Sequence, residues 1–129
     1  MGAPNLEVVN LGSIVTDNII FSDRWTSLKS LNISRTNIGS LNYAGSIGTT
    51  LDLARHRNLE TIQANDNTVI REIICPNIED HFVSLGNNAL SDCAYLERLV
   101  GNFLITGTKV FVNCSNLVLN NDYAGVILE

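Results

Sequence analysis

Residues Leu59 to Val69 read LETIQANDNTV, and the spacing inside this stretch decides the fold. Apolar residues stand at its first, fourth, sixth and eleventh places (Leu59, Ile62, Ala64, Val69), with Asn67 at the ninth. Side chains alternate along a strand, so Ile62 and Ala64 share one face of a short strand. An asparagine three residues further on carries both a donor and an acceptor, which a backbone turning away from that strand requires. The pattern returns in LKSLNISRTNI, through Leu28, Leu31, Ile33 and Ile38, with Thr36 in the asparagine place. LEVVNL at 6–11 gives an earlier copy and HFVSLGNNAL at 81–90 a partial one. Leu96 with Leu99 opens another copy, and Leu117 a weak last one.

Copies starting at 6, 28, 59, 80, 96 and 117 are separated by 22, 31, 21, 16 and 21 residues. The mean step is about 22, inside the roughly 20–29 residues of leucine-rich solenoids. The long step implies an inserted loop in YAGSIGTT at 43–50, and the short step a truncated unit or a misaligned copy. The surplus of asparagine, 17 of 129 residues, matches the demand of repeated turns.

A second frame overlays the first: FVNCSNL (111–117), LSDCAYL (90–96) and LARHRNL (53–59). Each has an apolar residue, two spacers, Cys or His, two spacers and Leu. Cys93 and Cys114 are expected to fill one small buried site in successive repeats, with His56 in an equivalent, less buried one, since free cysteine packs as a small hydrophobe. Within 89–100, Leu90, Cys93, Leu96 and Leu99 also fit one face of a short helix, which predicts a helical or 3₁₀ turn and then a strand starting near Glu97.

The F-x-x-C-x-x-L frame leading into a strand resembles the short bacterial leucine-rich repeats called BspA-like. WTSLKSLNISRTNIGSL (25–41) resembles the W-x-x-L-x-x-L-x-L-x-x-T/N-x-L units of protozoan surface antigens and plant-type repeats. The resemblance implies an α/β fold, a curved leucine-rich-repeat solenoid with a parallel β-sheet on the concave face and short helical or irregular turns on the convex face. It also implies a surface-exposed or secreted recognition protein. The uneven pitch, the missing proline of the plant-type unit and the 70–80 stretch, which matches neither frame, depart from those families. A small β-sandwich with Asn/Gly turns is the competing architecture, and a small all-β structural or self-assembling domain the competing role.

Length and composition suit one domain, 1–129, of five to six irregular repeats. Met1-Gly2 and Leu128-Glu129 look like cloning remnants, so the chain is expected to be cut from a longer protein. Eight basic residues against 13 acidic ones, net −5, argue against nucleic acid. No apolar run reaches membrane-span length. Three cysteines do not suggest a disulfide framework. Catalysis or metal binding by Cys75, Cys93, Cys114, His56 and His81 is disfavoured: zinc sites usually contain a close C-x₂₋₄-C or H-x₃₋₅-H pair. The closest of these five, Cys75 and His81, are six apart. Cys75, outside both frames, is the thiol to watch.

The expected function is therefore non-catalytic, without cofactor or metal: protein binding through outward strand positions. These are Lys29, Asn32, Arg35, Thr61, Gln63, Asn65, Asp66, Arg98, Asn102 and Phe103, the last as the one exposed aromatic. The expected partner is another protein, without membrane insertion, and the uncapped repeat ends favour self-association.

Overall fold

The computed structural model describes residues 5–13, 25–37 and 49–119. They contain eight strands of three residues each: β1 (Val8–Asn10), β2 (Ser30–Asn32), β3 (Thr50–Asp52), β4 (Thr61–Gln63), β5 (Glu72–Ile74), β6 (Val83–Leu85), β7 (Arg98–Val100) and β8 (Phe103–Ile105). Every pairing between these strands is parallel. One sheet has the order β1-β2-β4-β6-β8 and the other β3-β5-β7. From β2 onward the chain alternates between them, so each circuit lays one strand on each sheet. The result is a β-solenoid of about three turns.

The expected α/β class is thereby corrected: no helix occurs among the described residues, and the parallel strands form two sheets instead of one. The helical reading of 89–100 failed for a definable reason. Its three-residue spacing comes from successive tight turns, in which Cys93 N donates to Leu90 O and Leu96 N to Cys93 O. Within the first of those turns Leu90 N and Asp92 N donate to Val110 O and Val112 O of the next coil, leaving no i−4 ladder to build. Asn88 and Asp92 both have φ 59°, the left-handed region that interrupts a helix. The strand expected near Glu97 is present as β7.

Two sheets also explain the uneven pitch. The copies starting at 6, 28, 59 and 80 precede β1, β2, β4 and β6, whereas the copy at 96 precedes β7 of the other sheet. The 16-residue step is a half-turn and not a truncated unit. The stretch 70–80, which matched no frame, holds β5 of the three-stranded sheet. Most of the loop expected at 43–50 lies outside the described residues; Thr50 opens β3.

The interior is one cluster. Val9, Leu31 and Ile62 face Leu51, Ile73 and Leu99 from the opposite sheet, and Leu28, Leu59, Leu90 and Leu96 close the corners. Leu28, Leu51, Leu59, Leu90 and Leu96 are fully buried, each contributing about 1.5–3 kcal/mol of transfer free energy.

The corners are built from left-handed residues in register. Ser13 (φ 66°), Arg35 (54°), Asp66 (59°), Asp92 (59°) and Asn113 (61°) recur where the chain leaves the five-stranded sheet. The residues after the last four, Thr36, Asn67, Cys93 and Cys114, form one inner column. Asn67 is 2% exposed. Its Oδ1 accepts from Val69 N and Ile70 N at 2.9 and 2.8 Å, and its Nδ2 donates to Thr36 Oγ1 at 3.3 Å. The ninth-place asparagine thus does what the sequence pattern asks of it.

His56 does not belong to this column. LARHRNL turns from β3 into β4, the opposite corner from LSDCAYL and FVNCSNL, which follow β6 and β8. At 3% exposure His56 is buried, with Nδ1 3.3 Å from Trp25 O, so the expectation of a less buried equivalent is corrected. The corner between β7 and β8 is the shortest, Gly101-Asn102. Gly101 has φ +95°, and a Cβ there would overlap the Cys75 carbonyl, so only glycine fits.

Candidate functional site

The outward side of the five-stranded sheet is polar across its middle strands. Register places Val8, Ser30, Thr61, Ser84 and Leu104 in one outward row, and Asn10, Asn32 and Gln63 in the next. Adjacent strands lie about 4.8 Å apart, so each row is a line of closely stacked side chains. Over the middle three strands these rows form a shallow groove of about 520 Å³, edged by Ser34, Arg35 and Asn65 at the left-handed corner.

The side chains in this groove are held by their neighbours. Asn32 Oδ1 accepts from Ser34 N at 2.9 Å and from Ser34 Oγ at 2.7 Å. Gln63 Nε2 donates to Asn65 Oδ1 at 2.6 Å, and Asn65 Nδ2 to Asp66 Oδ2 at 3.0 Å. Arg35 Nε donates to Ser13 Oγ at 2.9 Å, which fixes the guanidinium stem at the rim. Ser84 Oγ and Thr106 Oγ1 are 2.5 Å apart. A face so interlinked loses little side-chain freedom on binding.

Of the ten residues expected to bind, Asn32, Arg35, Thr61, Gln63 and Asn65 line this groove, and Asp66 stands at its corner. Lys29 borders a neighbouring hollow with Glu60, Asp80 and His81. Its ammonium lies 2.9 Å from Glu7, whose hydrogen bond and charge raise the lysine above its ordinary pKa. Arg98 lies on the other sheet, 3.2 Å from Glu72. Asn102 sits in the short corner and donates to Ile78 O at 2.8 Å. Phe103 is 1% exposed and points inward, so it is not the exposed aromatic expected; Leu104, 39% exposed, takes the outward place. Ser30 and Ser84 were missed, although alternation with Leu31, Val83 and Leu85 marks both as outward.

The cysteines divide by environment. Cys75 is 1% exposed, and loss of solvent pushes its thiol up to about 12, so the thiol singled out from sequence is shielded from reaction. Cys93, also 1% exposed, is raised by its hydrogen bond to Cys114 and by burial. Cys114 is half-buried and lowered, chiefly because Cys93 donates to it. Among the described residues no group of three or more His, Cys, Asp or Glu is placed to hold a metal ion. No protein-family model matches the chain, and neither does any curated protein or solved structure.

Proposed function

We propose that this chain is a non-catalytic recognition module that binds another protein through the outward face of the five-stranded sheet. The observation that carries this reading is the groove over β2, β4 and β6, where Asn32, Ser34, Arg35, Gln63 and Asn65 are each held by side-chain hydrogen bonds. A rigid polar face offers directional hydrogen bonding at low entropic cost, while Val8 and Leu104, 63% and 39% exposed, supply apolar ends to the same row. Kinship with leucine-rich repeats is likewise our reading, supported by the strand and interior positions of 28–38 and 59–69.

The test compares proteins cross-linked to the wild-type chain, to the T61R/Q63R variant and to R98A, which alters the other sheet. Partners should be lost with T61R/Q63R and kept with R98A. Equal capture by all three chains would remove the groove from the binding surface.

A further inference from the structure

Cys93 and Cys114 occupy the same place in consecutive coils. Leu90 N donates to Val110 O at 3.1 Å and Asp92 N to Val112 O at 2.7 Å, which locks the two corners in register. The turns themselves are copies: Cys93 N donates to Leu90 O and Cys114 N to Phe111 O, then Leu96 N to Cys93 O and Leu117 N to Cys114 O. The sulfurs follow suit. Cys93 Sγ donates to Ala64 O at 3.0 Å and Cys114 Sγ to Leu90 O at 2.9 Å, each reaching one coil back. Matching positions in stacked parallel coils are about 4.8 Å apart, within the roughly 4.4–6.8 Å between Cα atoms that a disulfide spans.

We infer that Cys93 and Cys114 form a hydroperoxide-sensitive dithiol in which the half-exposed Cys114 reacts first and the buried Cys93 resolves it into a disulfide between adjacent coils. The Cys93 S–H donates to the Ala64 carbonyl at 3.0 Å, and its neighbour in the next coil is the Cys114 thiol. When Cys114 ionises, the proton turns to the thiolate and stabilises it. That hydrogen bond is the largest influence on Cys114, opposed by partial burial and by the Asp92 charge; Asp66 acts in the same opposing sense on Cys93. Asn113 Nδ2 donates to Asp92 Oδ1 at 2.7 Å and so draws off part of that carboxylate's field.

The chemistry closes in two steps. The Cys114 thiolate attacks the nearer oxygen of the hydroperoxide: an S–O bond forms, the O–O bond breaks, and the departing alkoxide or hydroxide takes a proton from water. Sulfur is oxidised to the sulfenic acid and the peroxide is reduced to an alcohol or water. Cys93 then attacks the Cys114 sulfur; the S–S bond forms, the S–O bond breaks, and the Cys93 proton leaves with the hydroxide as water. One hydroperoxide thus converts two thiols into one disulfide.

The full, reduced chain is treated with one equivalent of hydrogen peroxide, and intact mass and non-reducing peptide maps are recorded. The expected result is the loss of two hydrogens, a single peptide pair joining Cys93 to Cys114, and Cys75 alkylated only after unfolding. In C93S the same treatment leaves Cys114 as a sulfenic acid, trapped by dimedone as an adduct, with no loss of hydrogens. A wild-type map without the Cys93–Cys114 pair would overturn the inference, whether it shows sulfinic Cys114, unreacted thiols, links to Cys75 or links between chains. The wild-type map decides the matter even if a variant fails to fold.

Discussion

Asn67→Ala is the sharpest probe of the coil. Asn67 is the one asparagine whose amide sits inside the corner column, and its Oδ1 is the acceptor for two backbone N–H groups, those of Val69 and Ile70. Ile70 is buried and Val69 half-buried. Stranding a buried donor costs about 1–3 kcal/mol, and a partly solvated one less. Thr36 loses the Asn67 amide but keeps its own bond to Ile33 O at 2.6 Å, so its share is small. The expected loss is roughly 2–4 kcal/mol, a large part of the about 5–15 kcal/mol that holds a domain folded. Urea unfolding followed by circular dichroism reads it as a lower midpoint at unchanged slope. Asn65→Ala, at the half-buried groove rim, serves as control and should cost no more than about 0.5–1.5 kcal/mol. If Asn67→Ala unfolds within about 0.5 kcal/mol of wild type, the corner does not depend on that amide and the reasoning fails.

Gly101→Ala combines a disfavoured positive φ with an overlap on the Cys75 carbonyl, so it should destabilise by at least about 1–3 kcal/mol in the same assay. For Cys75 the folded pKa is raised above that of the unfolded thiol, so its contribution is complete below the ordinary thiol value of 9.0. That contribution is lost as pH climbs towards about 12. Chemical denaturation across that window should show wild-type stability falling more steeply than that of C75S, whose hydroxyl does not ionise there. Thiol titration of the folded chain should label Cys114 ahead of Cys75 and Cys93, with a pH inflection below that of an ordinary cysteine that C93S moves upward. If the coil disulfide forms, closing the 93–114 loop should raise stability by about 3 kcal/mol on the chain-entropy account, read as the difference between oxidised and reduced unfolding midpoints.

The solenoid was legible in LETIQANDNTV and LKSLNISRTNI because interior positions there recur with strand spacing and each segment closes with a turn-forming polar residue. What stayed hidden was the second sheet. Its strands read TLD, EII and RLV, each followed or preceded by a different corner, so no common motif marks them. The helical part of the helical-or-3₁₀ reading of 89–100 failed because a period of three arises equally from helical faces and from tight turns stacked end to end; the intercoil bonds of Leu90 and Asp92 and the left-handed φ of Asn88 and Asp92 separate the two. The groove residues of β2 and β4 followed from simple alternation. Phe103 was misplaced because the two-residue corner after Val100 resets the alternation before β8.

The unequal corners have a consequence for how such a chain can change. From β3 to β4 the turn takes up Leu53 to Glu60, yet from β7 to β8 it takes up only Gly101 and Asn102, and strands on both sides of each corner stay in parallel register. Perimeter is therefore a free variable and strand pairing a fixed one. Insertions arriving at the exposed Arg57 and Asn58 would lengthen a single coil without shifting the row of side chains on either sheet. Such a scaffold can acquire new loops one coil at a time, its recognition face and its periphery diversifying independently.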